Sequence, residues 1–274
     1  MEKIFFFINN LWYLFKTNLQ TVKKIKIFWK DTILFLFEKI NNKLWKKSIN
    51  FNWLKIHWLN YSSLCWLFWE IFVRNEYKFY TEKENPIILD LWANIWMATV
   101  YFKRSYPKSK ILSFEPDKKH FQILEKNIKE NWFNDVKCIE KAVTNKTGEI
   151  TFYTDNKASF SMSTKKWRMS KLETKVKSIS ITEIIKNRKI DLLKMDIEWW
   201  EYDVLEELNK TGKINQINEM IIEYHHNIKN DNMSFWKFLN ILEKNWFTYW
   251  LNTSLFPLEA KNKFQDIFIH AYRK

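Results

Sequence analysis

Four carboxylates and a histidine pair stand just past apolar runs, where acid and base chemistry is commonly done. Asp90 lies in Ile87-Ile-Leu-Asp-Leu91, and Glu115 ends Lys110-Ile-Leu-Ser-Phe-Glu115, 115 − 90 = 25 residues later. Asp196 and Glu198 follow Ile190-Asp-Leu-Leu-Lys-Met195, and His225 and His226 follow Met220-Ile-Ile-Glu-Tyr224. An acid at such a strand end accepts hydrogen bonds from an ammonium group or from the two hydroxyls of a ribose. A carboxylate or imidazole at a neighbouring strand end can orient an acceptor hydroxyl and take its proton. Adjacent histidines on a strand point to opposite faces, so only one of the pair can serve. No spacing joins them to further ligands, so no metal is expected. Glu198 and Glu201 have a second reading, as acids that offset the dipole of the helix after them.

The residues between Asp90 and Glu115 matter as much as the acids. Asp90-Leu-Trp-Ala-Asn-Ile-Trp96 is a strand-to-helix turn with tryptophan at two positions where close approach of main chain to a ligand asks for glycine. The anomaly is general. At the average usage of about 7%, a chain this long would hold roughly 19 glycines, but this one has 2 glycines and 16 tryptophans. Asn131-Trp132 and Asn245-Trp246 each follow a helical run, where Asn-Gly would close the helix in the left-handed conformation. Trp199 and Trp200 follow another strand. A gene whose UGA codons mean glycine, written out with UGA as tryptophan, would give this pattern. The alternative is a tryptophan-rich core with unusual turns.

These residues need a scaffold that gathers strand ends. From Pro86 onward the chain alternates buried strands (87–91, 110–115, 136–139, 190–196, 220–224, 247–251, 266–272) with amphipathic helices such as 97–104 and 117–129, the latter with Phe121, Leu124 and Ile128 on one face. Repeated β-α units predict an α/β fold, with a mostly parallel seven-stranded sheet and helices on both faces. Ligands in such sheets bind beyond the carboxyl ends of the strands, at the switch point of strand order. Dinucleotide sites prefer G-x-G-x-x-G, and Asn94 occupies the position that would have to be glycine to admit a pyrophosphate. Asp90, Glu115 and a glycine turn fit the nucleoside S-adenosylmethionine better.

At these residues the chain resembles the FkbM family of S-adenosylmethionine-dependent methyltransferases. The resemblance rests on Asp90-Leu-Trp-Ala-Asn-Ile-Trp96, Phe114-Glu-Pro-Asp117, Glu140-Lys-Ala142 and above all Lys194-Met-Asp-Ile-Glu-Trp-Trp-Glu201, similar to the family's K-x-D-I-E-G-x-E. It covers roughly residues 80–274, and its departures are tryptophans at glycine positions. It implies a Rossmann-like class I fold. Asp90, Trp92, Ala93, Asn94, Trp96, Glu115, Pro116 and Ala142 would hold S-adenosyl-L-methionine, and Asp196, Glu198 and His225 would face the reacting centre. The acceptor implied is a hydroxyl on a sugar, glycan or secondary metabolite, and residues 154–175 are where a lid over it would lie.

Composition bounds the rest. With 46% apolar and 28% charged residues the chain buries a full core and is not disordered. Cys65 and Cys138 lack any ligand spacing, which fits a reducing, cytoplasmic setting. Net charge is +14, yet only 5 of the 45 basic residues are arginine, and base-reading proteins lean on arginine forks, so no nucleic-acid partner is expected. Residues 1–50 hold ten lysines against three acids, +7 of that charge, and mark a separate basic extension over 1–80 ahead of a catalytic domain over 81–274. Within it Ile4, Phe7, Leu11 and Leu14, and again Ile33, Phe37 and Ile40, recur at helical spacing. Such helices either cap the main domain or make peripheral contact with an anionic membrane face. The readings that compete with an enzyme are a non-catalytic membrane- or partner-binding protein with a blocked pocket, and a nucleic-acid methyltransferase.

Overall fold

A computed structural model of the chain describes residues 48–51, 54–154, 162–163, 172–226, 235–253 and 265–273. The two amphipathic helices expected before residue 41 fall outside these residues, as does most of the expected lid. The chain divides into two compact units, Met1–Lys78 and Phe79–Lys274.

In the first unit, β1 (Ser48–Phe51) and β2 (Leu54–His57) form an antiparallel hairpin, followed by helix α1 (Tyr61–Phe68) and one wide turn over Trp69–Val73. The run Phe72-Val-Arg-Asn-Glu-Tyr-Lys-Phe-Tyr80 reads in sequence as a strand or hairpin leading into the main domain, and none forms there. Tyr61, Leu64, Phe68 and Ile71 are buried at spacings of three, four and three, so helical periodicity overrides the β propensity of the aromatic residues. The Arg74 amide closes the last turn on the Trp69 carbonyl at 3.0 Å.

The second unit is built on a seven-stranded sheet. Its strands are β3 (Ile87–Leu91), β4 (Lys110–Phe114), β5 (Val136–Ile139), β10 (Ile190–Met195), β11 (Ile217–His226), β12 (Phe247–Thr253) and β13 (Gln265–Arg273). The order across the sheet is β12-β13-β11-β10-β3-β4-β5, with β3, β4, β5, β10 and β11 parallel and β13 antiparallel to both its neighbours. All six residues of β10 are buried, which is why it reads as a near-continuous apolar run. From β3 the chain steps outward to β4 and β5 through α2 (Met97–Ser105) and α3 (Lys118–Glu130). From β10 it steps the other way to β11 through α5 (Glu201–Lys210), and α6 (Phe235–Lys244) precedes β12. Right-handed crossovers running in opposite directions put their helices on opposite faces. The stripe α3 buries is His120, Leu124, Asn127 and Ile128; Phe121 is only half-buried.

A second sheet was not expected from the sequence. β6 (Ala142–Thr144), β7 (Gly148–Thr154), β8 (Met162–Ser163) and β9 (Leu172–Ser180) pair in the order β6-β9-β7-β8, ahead of the short helix α4 (Ile181–Ile185). Cys65 and Cys138 are both free thiols. Among the described residues no helix is long and apolar enough to cross a membrane.

Candidate active site

Strand order reverses between β3 and β10, and the acids singled out above converge on that point. Lys194 is the register partner of Asp90 across the two strands, and its ammonium stands 3.7 Å from Asp90 Oδ1. Asp90 is fully buried; Oδ2 accepts from the Thr99 hydroxyl of α2 at 2.9 Å, while Oδ1 has no hydrogen-bond donor at all. Burial pushes its carboxyl above the ordinary range, against the pull of Lys194. Asp90 thus pins the strand to the helix with one oxygen and leaves one acceptor beside a cation.

Glu115, at the end of β4, is 2% exposed, and burial raises its carboxyl to about 7. Its oxygens accept from the amides of Asn94 and Asp117, each at 2.8 Å, which ties the β4 end to the β3 turn. Ala93 is buried and its amide reaches the Phe114 carbonyl at 2.8 Å; Pro116 is buried between these acids and the cap of α3. Asp117 is that cap, accepting from the amides of Lys119 and His120. Asn94 turns its side-chain oxygen onto the Ile95 amide at 2.7 Å.

The turn itself is strained. Trp92, Asn94 and Trp96 have φ of +73°, +52° and +99°. Asparagine tolerates this region, but a bulky residue pays about 1–2 kcal/mol there. The Trp92 indole lies 5.2 Å from the Phe152 ring and packs on the cluster of Phe152 and Ala142. Trp96 is completely buried near Phe133 with its indole N–H unpaired, a further cost of about 1–3 kcal/mol.

The second acidic group forms where β10 enters α5. Asp196 is 24% exposed at its side chain and 3.5 Å from the Lys194 ammonium. Lys194 also donates to the Trp92 carbonyl at 2.9 Å. Burial acts to lower the Lys194 pKa, but Asp196, Asp90 and Glu223 outweigh it and the net shift is upward. Glu198 sits at φ +51° with a carboxylate oxygen 4.0 Å from His225 Nε2. Glu201 has the structural role, accepting from the amides of Ile197 and Trp199 and from His225 Nδ1 at 2.8 Å. Trp199, at φ +89°, lies over the His225 ring at 5.1 Å.

His225 and His226 face opposite sides, as the strand alternation requires, and His225 is the one beside the acids. Burial would lower its pKa, but Glu201, then Glu198 and Asp196, hold it well above the ordinary value. The surrounding carboxylates thus favour the charged imidazole, which works against the general-base role that the sequence suggests for His225. Glu223, His225 and Asp266 also bring one ligand atom each within 4.8 Å of one another. His225 and Asp266 meet only because they are register partners across β11 and β13, which no sequence spacing reveals. Lys194 was not assigned a role from sequence, and Glu201 was read only as an acid at the start of the following helix; a lysine inside an otherwise apolar buried strand was the available signal for the first.

The acids suit an aminoacyl nucleoside: Asp90 Oδ1 is an orphaned buried acceptor, and Glu115 stands at the neighbouring strand end. The side chain of Trp92 does not suit it, because the indole covers Ala142, which would have to meet the ligand.

Comparison with known proteins identifies the scaffold. Residues 89–249 match the methyltransferase FkbM domain. Methyltransferase sdnD of Sordaria araneosa is 34% identical over 82 residues, 30% of this chain and 32% of that protein. Methyltransferase 1 of Beauveria bassiana (strain ARSEF 2860) is 26% identical over 162 residues, 51% of this chain and 65% of that protein. The matched stretches thus span a third to just under two thirds of these curated relatives. A crystal structure of methyltransferase FkbM from Methylobacillus flagellatus KT superposes with a TM-score of 0.48 at 13% identity, over 70% of this chain and 45% of that one. The domain match begins within β3, runs through both acidic turns and reaches into β12, so it takes in every strand that bears a candidate site residue, and the chain belongs to the FkbM methyltransferase domain family.

Proposed function

We propose that the protein is an S-adenosylmethionine-dependent methyltransferase that methylates a hydroxyl of a sugar, glycan or secondary metabolite. The observation that carries this reading is the pair of buried acids at adjacent strand ends: Asp90, with one oxygen free of donors, and Glu115, whose ionised form would receive two ribose hydroxyls. S-adenosyl-L-methionine supplies a methyl group already activated on a sulfonium, which leaves the protein the work of alignment and proton handling. Asp90 and Lys194 would meet the charged amino-acid end, and Ala93, Asn94, Pro116 and Ala142 would line the nucleoside. Asp196, the most accessible of the acids near β10, would accept the hydrogen bond of the acceptor hydroxyl. Glu198, held by the His225 cation, would stand behind it.

The basic segment over residues 1–50 belongs to this proposal only as a peripheral anchor at the inner membrane face, within a cytoplasmic setting. A non-catalytic role has one observation in its favour, the Trp92 indole over Ala142. Calorimetry with S-adenosylmethionine on a Trp92→Gly, Trp96→Gly, Trp199→Gly variant decides between them. Binding in the micromolar range supports the enzyme; no heat of binding in that variant rejects it.

A further inference from the structure

We infer that the gene of this chain reads UGA as glycine, and that the protein in the cell carries glycine at positions 92, 96, 132, 199 and 246. Backbone angles carry the inference, and it holds or fails independently of what the site binds. Nine non-glycine residues among those described have positive φ, and five of them are these tryptophans, at +73°, +99°, +59°, +89° and +63°. Tryptophan makes up 16 of 274 residues, so nine positions drawn at that rate would hold 9 × 16/274, or about half of one. It is also among the residues least suited to the left-handed region, where its Cβ crowds the following carbonyl.

Three helix ends make the point without statistics. After α5, Gly212 sits at φ +68° and its amide closes on the Asn209 carbonyl at 3.1 Å. After α3, Trp132 sits at +59° and closes on Lys129 at 3.2 Å; after α6, Trp246 sits at +63° and closes on Glu243 at 3.1 Å. The same i to i−3 closure is made three times, once by glycine and twice by tryptophan. Nothing rewards the larger residue at either place, since the two side chains are 83% and 82% exposed. Inside the unit the mismatch is of another kind. Trp96 is walled in with its indole N–H unpaired, and Trp92 packs on the cluster of Phe152 and Ala142.

Other tryptophans are ordinary. Trp58 is buried edge-on to Tyr61 at 5.3 Å, and Trp69 stacks under the Arg74 guanidinium at 5.3 Å, neither with positive φ. Trp200 has φ −92°, so its backbone makes no demand for glycine, and the inference leaves it out. Each strained position as written would cost roughly a factor of ten in the folding equilibrium, and five together approach the whole margin by which a domain is folded.

The test is the residue mass at each position in protein purified from its own cells, read by peptide mass spectrometry beside the codons of the gene. Expected are UGA codons and glycine masses at all five positions. A UGG codon or a tryptophan mass at position 92, 96 or 199 overturns the inference. Should glycine be found and S-adenosylmethionine still fail to bind, the proposed function falls and this inference stands.

Discussion

At the ends of α3 and α6 an indole rides on left-handed backbone in open solvent, with 83% and 82% of its surface exposed. At the turns after β3 and β10 the same backbone carries Trp96 and Trp199 with 0% and 3% exposed, and Trp92 half-covered. The local geometry is shared, and the surroundings decide what the side chain costs. On the surface the penalty is the dihedral alone. In the interior the indole also fills space in turns that carry acids: Asp90 with an unused oxygen, Glu115 raised by burial, Asp196 beside Lys194. Strain that recurs without burial or partners is the mark of a residue in the wrong place. Strain beside unsatisfied acids marks a site.

The contrast breaks most sharply if the interior is relieved. Trp92→Gly with Trp96→Gly should take S-adenosylmethionine from no measurable affinity to the micromolar range, on the order of 10²-fold or more, since a Trp side chain buries about 150–250 Å². Isothermal calorimetry measures it. The paired surface change, Trp132→Gly with Trp246→Gly, should leave affinity where it was. Equal gains from both pairs would mean that the turns after β3 and β10 are no more a site than the helix ends are.

With the interior relieved, Asp196→Asn tests the acceptor side. It should lower kcat by about 10²–10⁴-fold, the range for loss of a positioned proton acceptor, with little change in the KM for the methyl donor. Steady-state assays against a panel of hydroxylated acceptors read both constants. A KM effect for the donor with kcat intact would move Asp196 into the cofactor's contacts and out of the acceptor's.

Glu115 gives a pH signature that the surface positions cannot. Burial holds its carboxyl near 7, and paired hydroxyl donors favour the ionised form, so bound ligand pulls that value down. Affinity should therefore rise about tenfold per pH unit below 7 and level off above it. The sign for stability is the reverse: the buried acid costs nothing while neutral and progressively more as pH climbs from 4.5 toward 7. Glu115→Gln should flatten the binding profile and lose roughly tenfold at high pH. A flat profile in the unaltered residue would place the ribose elsewhere.

The sequence made one of these regions much plainer than the other. All seven strands of the main sheet were legible; the parallel ones, buried on both faces, are written as mostly apolar runs such as Ile87-Ile-Leu-Asp-Leu91. The second sheet was not, since β9 reads Leu-Glu-Thr-Lys-Val-Lys-Ser-Ile-Ser and shows solvent most of one side. The run 72–80, which reads as a strand, instead ends the wide turn at Val73 and continues as turn and loop. At the site, the acids could be found because each closes an apolar run. The partners of Lys194 and Glu201 were hidden because they are set by register and by a turn, as the 2.8 Å contact of Glu201 with His225 shows. The upward pull on the His225 pKa could not be read from its position on β11 without knowing that three acids converge on it.

The smallest effect isolates the dihedral from everything else. Trp132→Gly and Trp246→Gly remove a penalty of about 1–2 kcal/mol each, while glycine's extra freedom in the unfolded chain returns roughly 0.5–1. The net gain is then about 0.5–1 kcal/mol per position, or roughly 2–4 °C in Tm for each kcal/mol in a domain of this size. Trp250 supplies the control. It is 57% exposed on β12 with regular backbone and its ring stands edge-on to Phe268 at 6.5 Å, so Trp250→Gly loses a contact and gains only disorder. Thermal unfolding of the three variants should move in opposite directions, upward for 132 and 246 and downward for 250. If exposure rather than backbone sign governs the cost of these indoles, all three shift together, and the likeness between helix ends and interior turns loses its physical cause.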